Sequence, residues 1–123
     1  MSGFNPNPAA EPLLSAMTDK QCSSTTVAQI QQLIRDRYFE SDNDRGTGGT
    51  FLYFMEEVGE LATALANNNR RRSEPTKAER DNLVEEFADV IAWLCTLANI
   101  NGVDLAEALT KYTDPSRVEG VKD

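Results

Sequence analysis

LVEEFADVIAWLCTLAN, residues 83–99, decides how this chain folds. Leu83, Phe87, Val90, Ile91, Leu94 and Ala98 recur at three- and four-residue intervals, the spacing of one apolar side of a helix with 3.6 residues per turn. Three carboxylates, Glu85, Glu86 and Asp89, interrupt a stretch that is otherwise too apolar for an exposed helix. Glu86 and Asp89 are three positions apart, so they stand one above the other, about 60° apart around the axis. Trp93 continues their line one turn further on. Residues 51–66, FLYFMEEVGELATALA, repeat the design, with Phe51, Phe54, Met55, Val58, Leu61, Ala62 and Leu65 as apolar positions and Glu57 and Glu60 as a second acidic pair. Two such helices joined by a loop pack antiparallel, which brings both pairs to one contact. Uncompensated carboxylates gathered there repel one another and lose hydration, so a cation is expected between them.

Bulk properties narrow the setting. A chain of 123 residues makes one domain with a modest core. No apolar run approaches the roughly 18 residues that suggest a membrane span. The N-terminus lacks a basic-then-apolar leader, so the cytoplasm is the expected location and no membrane partner is expected. Twenty acidic against twelve basic residues give a formal charge of −8, which argues against stable nucleic acid binding. A small phosphorylated ligand remains compatible, because bound divalent ions invert the local sign. The absence of histidine removes the usual general base, His-containing zinc sites and the His ligands of ferritin-like di-iron bundles together. Cys22 and Cys95 make no disulfide framework, and Cys95 falls in the apolar stripe as buried filler.

In chain order, residues 1–22 read as a flexible N-terminal arm broken by Pro6, Pro8 and Pro12, with a short turn around Leu13 to Met17. The domain then spans residues 23–118, and 119–123 read as a C-terminal tail. A first helix begins within Ser23 to Thr26 and buries Val27, Ile30, Leu33, Ile34 and Tyr38 before ending near Phe39. Ser41 to Gly49, SDNDRGTGG, predicts a turn-rich connection, with Thr50 as the cap of the second helix. Gly46, Gly48 and Gly49 do not make a phosphate loop, since no strand precedes them and no GK[ST] follows. They predict either a loop that lets Arg45 swing over the acids or a plain turn. Arg70, Arg71 and Arg72 read by default as solvated loop charge. Thr76 and Glu79 have capping-box spacing and open a third helix that lasts to about Ile100, with Gly102 as its left-handed terminator. Asp104 and Glu107 cap a short fourth helix, which Pro115 stops near Tyr112 or Thr113. The fold class is therefore all-α, an antiparallel helical bundle. Val84, Ala88, Ala92 and Leu97 make the third helix apolar on more than one face, so oligomerisation into a homodimer or homotetramer is expected to complete it.

Glu57, Glu60, Glu86 and Asp89 would offer eight oxygens, a set suited to hard cations such as Mg²⁺, with Mn²⁺ as a substitute. Magnesium keeps waters and commonly bridges to phosphates, so an open acidic cleft points to phosphoryl chemistry. Glu56 lies four before Glu60 and within reach of a metal-bound water. The same acids also fit the solvated face of a non-catalytic helical oligomerisation module. Trp93 reads either as core packing or as a surface for a nucleobase.

Glu56-Glu57-Val58-Gly59-Glu60-Leu61, followed by Glu86-Phe87-Ala88-Asp89-Val90, resembles the E-E-x-x-E … E-x-x-D signature of the MazG-like nucleotide pyrophosphohydrolases, in the all-α NTP pyrophosphatase superfamily. The likeness runs over roughly residues 27 to 112, including Asp44-Arg45-Gly46 and Leu97-Ala98-Asn99 through Gly102-Val103-Asp104-Leu105 to Lys111. It implies Mg²⁺-dependent hydrolysis of nucleoside triphosphates to monophosphate and pyrophosphate, often in nucleotide-pool housecleaning, by proteins that assemble as dimers or dimers of dimers. By that resemblance Glu57, Glu60, Glu86 and Asp89 are metal ligands, Glu56 holds or activates water, and Trp93 lies near the base. Lys111 matches a phosphate-contacting lysine and Arg117 the basic residue that follows it; as a further substrate contact, Arg45 or an arginine of the 70–72 run would offset phosphate charge beside Lys111. Pro115 departs from the asparagine that relatives often carry between those two. A phosphoribosyl-ATP or dUTP pyrophosphohydrolase would use the same metal helices.

Overall fold

The structure, a computed structural model, describes residues 24–117; the expected arm, Cys22, Ser23 and the tail lie outside the described residues. Helix α1 runs over Val27–Asn68, α2 over Lys77–Ile100, α3 over Leu105–Ala108 and α4 over Thr110–Thr113, and a single 3₁₀ turn, Pro115–Arg117, follows. No strand occurs among the described residues. The all-α class is as expected.

The expected connection at Ser41 to Gly49 is not a loop. Helix α1 continues through it for 42 residues, and only Gly46, with φ 81° and ψ 174°, leaves helical geometry. Glycine and short polar residues lower helix propensity by at most about 1 kcal/mol each, which tertiary packing readily overrides. Helix 1 therefore does not end at Phe39, and Thr50 is no cap: it is fully buried inside α1, where its hydroxyl accepts from Arg45 Nη1 at 3.2 Å. The expected first and second helices are the two arms of one broken element.

The other boundaries follow local chemistry. Thr26 caps α1 with a capping box, accepting from Gln29 N at 3.1 Å while the Gln29 side chain returns to Thr26 N at 2.8 Å. Thr76 and Glu79 do the same for α2 at 3.1 and 2.9 Å. Gly102 takes φ 66° just beyond α2, Asp104 caps α3, and α4 stops at Thr113 before Pro115.

The second arm of α1 and α2 form the main seam. Asn68 Nδ2 donates to the Glu79 carbonyl at 3.1 Å at one end, the Tyr53 and Trp93 rings stack at 5.4 Å further along, and Asn101 Nδ2 donates to Thr47 Oγ1 at 3.1 Å at the other end. Numbers fall on one helix as they rise on the other, so the pair is antiparallel in near-constant register. Arg70 clasps Glu79 across the connecting loop, and that guanidinium holds the Glu79 carboxyl down to about 2. Arg70 is thus a fastening rather than loose loop charge. The first arm is tied on by Gln31, whose amide donates to Asn99 Oδ1 at 3.0 Å and to the Val103 carbonyl at 2.7 Å while accepting from Leu105 N at 2.9 Å.

The apolar stripe of α2 divides. Leu83, Cys95 and Ala98 are buried, as is Trp93, but Phe87, Ile91 and Leu94 are about half exposed and Val84 is 61% exposed. What faces the seam is the line through Glu86 and Trp93, and the more continuous apolar line faces away. Among the described residues no helix is long and apolar enough to cross a membrane.

Gly46 and Gly48 give a paired test of the break. A Cβ at either meets nothing within 4 Å, so only backbone preference differs between them. Gly46→Ala should cost about 1–2 kcal/mol of unfolding free energy, and Gly48→Ala should add up to about 1 kcal/mol. Urea unfolding monitored by circular dichroism reads both, and equal effects would mean that the helix is not broken at Gly46.

Candidate active site

The seam gathers the acids by register. Glu57 and Glu60 lie on successive turns of α1, and Glu86 projects from the facing turn of α2. One carboxylate oxygen from each of the three lies within 4.8 Å of the others. Glu57 is 2% exposed and Glu86 4%, whereas Glu60 is half-buried. Burial pushes the Glu86 carboxyl above its ordinary value, and the nearby charges of Glu60 and Asp89 push it further. Glu86 Oε2 is buried with no hydrogen-bond partner among the described residues.

An orphaned oxygen beside two further carboxylates is the donor set a hard divalent cation takes, and the residues fit such an ion. Without one, burying like charges is sustained only by holding protons, which is the sense of the raised Glu86 value.

Asp89 stands outside the 4.8 Å group. It is half-buried, near enough to act on Glu86, and borders a groove of about 450 Å³ lined with Ile30, Ile34, Tyr38 and Ile91. Glu56 is exposed, one position before Glu57. Trp93 is 4% exposed, stacked against Tyr53 with an interplanar angle of 11°. Its ring is core, and the exposed aromatic of the pair is Tyr53, 49% exposed and one turn before Glu57.

Arg45 is anchored at the aromatic end of the seam. Its guanidinium donates to Asp42 Oδ1 at 3.1 Å and to Thr50 Oγ1 at 3.2 Å, and its central carbon lies 5.2 and 5.5 Å from the Trp93 and Tyr53 ring centroids. Lys111 lies 5.8 Å from the Tyr112 ring and Arg117 donates to Thr110, both in the C-terminal turns after α2.

Asp42, Thr50, Tyr53 and Thr96 are neighbours of the site that pattern reading did not single out. The spacing of Asp42 and Arg45, three apart, and that of Tyr53 and Glu57, four apart, were the available signals.

Comparison with known proteins agrees with this geometry. The sequence model of the MazG nucleotide pyrophosphohydrolase domain matches residues 47–115, more than half of the chain and all four acids. The uncharacterized protein YvdC of Bacillus subtilis (strain 168) is 32% identical over 68 residues; the match spans 50% of this chain and 64% of that relative. The crystal structure of iMazG from Vibrio DAT 722 superposes with a TM-score of 0.57 at 26% identity, covering 80% of this chain and all of that one.

Glu86 supplies a test that needs no substrate. Its folded-state value is raised, so its proton stabilises the metal-free fold at low pH, and that contribution is lost as pH rises through the raised value. Glu86→Gln should therefore melt higher than the parent in chelator once pH exceeds the raised Glu86 value, and should lose less stability as pH rises from the ordinary carboxylate range. Mg²⁺ or Mn²⁺ should raise the parent's melting temperature and raise that of Glu86→Gln less. Equal metal responses in a thermal-shift titration would remove Glu86 from the ion site.

Proposed function

We propose a function for a chain that belongs to the MazG nucleotide pyrophosphohydrolase family: Mg²⁺-dependent hydrolysis of nucleoside triphosphates to monophosphate and pyrophosphate, in cytoplasmic nucleotide-pool housecleaning. The observation that carries this reading is the convergence of Glu57, Glu60 and Glu86 within 4.8 Å in a seam open enough to leave Glu60 half-buried.

Glu57, Glu60 and Glu86 would hold the ion, with Asp89, which acts on Glu86 from outside their 4.8 Å group, as the fourth ligand. A divalent ion bound there neutralises phosphate charge and lowers the pKa of water. Glu56 is exposed beside Glu57, in place to accept the proton of an attacking water. The buried pair Glu57 and Glu86 keeps the ion's position fixed, because neither side chain can turn out to solvent without unpacking the seam. Lys111, Arg117 and the exposed Arg71 and Arg72 supply positive charge around the phosphates, and Arg45 contacts the substrate at the Tyr53 end of the cleft.

A second copy of the chain covers the outward apolar face of Val84, Phe87, Ile91 and Leu94. Four large apolar side chains between 44% and 61% exposed on one helix make the kind of contiguous patch that soluble monomers rarely leave bare.

A panel of standard and modified nucleoside triphosphates with Mg²⁺, scored for monophosphate and pyrophosphate, tests the reaction class. Glu57→Gln and Asp89→Asn should abolish turnover while the chain stays folded, and Glu56→Gln should lower kcat by roughly 10²- to 10⁴-fold. Release of orthophosphate, or full activity in Glu57→Gln, would overturn the reading. Ile91→Asp should shift the sedimenting species to monomer, and an unchanged species would place the interface elsewhere.

A further inference from the structure

Beyond the acids, the structure holds a second buried polar group that the proposed reaction does not use. Asp42 is 3% exposed and Thr50 and Thr96 are 0% exposed; Asp42 and Thr50 both accept from Arg45 Nη1, and Thr96 lies against the Asp42 carboxyl. Burial pushes the Asp42 carboxyl up, against the opposing influence of Thr96 and Arg45. A carboxylate placed there at such a cost needs a reason, and its contact is Arg45, ion-paired at 3.1 Å.

The backbone is arranged around the same side chain. Gly46 breaks α1 immediately after Arg45, and a Cβ on Gly49 would meet Arg45 Cγ at 3.0 Å, so glycine there leaves the arginine room to fold back. The Arg45 side chain keeps 28% of its exposure, so it is anchored without being sealed.

Three distances fix its attitude. The guanidinium carbon is 5.5 Å from the Tyr53 centroid and 5.2 Å from the Trp93 centroid, and those centroids are 5.4 Å apart. A cation stacked on the outer face of Tyr53 would be much farther from Trp93 than from Tyr53. Arg45 is instead shared by both rings, and it leaves the outer face of the half-exposed Tyr53 open.

Charge decides what such an arginine can read. Pairing with a buried carboxylate cancels most of its net charge at a distance, which makes it a poor neutraliser of phosphate, but it keeps the guanidinium's directed N–H donors. A planar ring laid on Tyr53 would present its edge to those donors.

We propose that Arg45 is a specificity-determining residue that donates to the acceptor edge of a nucleobase seated on Tyr53, and that Asp42 is the positioning residue that holds it there. This rests on the nucleotide reading above, but assigns to the base an arginine that pattern reading gave to the phosphates. Both residues lie before residue 47, where the match to the family's sequence model begins.

Trp93 is the sole tryptophan, so its emission reports on the Tyr53 and Arg45 contacts directly. Binding of nucleosides, which carry no phosphate, is titrated by Trp93 emission. Inorganic tripolyphosphate is measured separately as an inhibitor of Mg²⁺-dependent turnover. Arg45→Met and Asp42→Asn should each weaken nucleoside binding roughly tenfold to a hundredfold, the range for loss of a charged hydrogen bond. Both should leave tripolyphosphate inhibition within about twofold of the parent. The double variant should bind no worse than Arg45→Met alone, since Asp42 acts through Arg45. Gly49→Ala, which displaces Arg45 without touching Asp42, should give the same pattern and serves if Asp42→Asn does not fold. Equal weakening of tripolyphosphate would make Arg45 a phosphate contact and overturn the proposal, as would a parent whose Trp93 ignores every nucleoside. Nucleoside binding that survives Asp42→Asn and Gly49→Ala unchanged would overturn the positioning role. Nucleoside binding without any triphosphate hydrolysis would sink the pyrophosphohydrolase reading and leave the base seat standing.

Discussion

Two glutamates buried in the seam between long helices constrain everything else in this protein. Glu57 and Glu86 are as buried as the tryptophan beside them, and moving a carboxylate out of water costs several kcal/mol even after relaxation. A fold carries that cost only if the seam is held by other means and the charge is compensated. The fastenings are visible at both ends: Asn68 and Arg70 grip Glu79 where the helices join, and Thr47 meets Asn101 where they part. Between these clamps the register is fixed, and so is the height at which the three carboxylates meet.

The same constraint explains the core. Among the described residues, six buried apolar ones are matched by six buried polar ones, so the seam is a poor reservoir of hydrophobic stability. Apolar area has gone to the outer side of α2 and to Phe51, Leu52 and Met55 on α1, where it stays exposed on a single chain. Among the described residues the inner face is therefore as polar as it is apolar, and much of the large apolar area lies outside the seam.

Much of this was legible in the sequence, and the failures share a cause. The capping box at Thr76, the left-handed Gly102 and the stop before Pro115 depend on neighbours within four residues, and pattern reading finds them. The acidic pairs were legible because E-x-x-E and E-x-x-D spacing sets a helical face without tertiary information. Ser41 to Gly49 was misread because three glycines and several Asx residues look like a loop, while the decision to stay helical rests on Asp42 and Thr50 packing against α2. Tyr53 was passed over, and Trp93 left open between core packing and a ligand surface, for a similar reason. Both lie on the line of the acids, and only the packing of the two helices decides which ring is covered.

The order of groups along the seam has a consequence for how such a site changes. Glu57 and Tyr53 are four residues apart, about 6 Å along the helix, and Trp93 lies seven residues beyond Glu86 on the partner helix. The converging acids and the aromatic pair therefore sit at separate levels of one seam. A substitution at the Arg45 and Tyr53 level can alter what is held there without moving the carboxylates, because the register is set by contacts at the two ends. A substitution among the acids changes the charge that the whole seam must bear. Ligand preference can accordingly drift at one level while the other stays fixed, and Asp42 is what couples Arg45 to the rigid part.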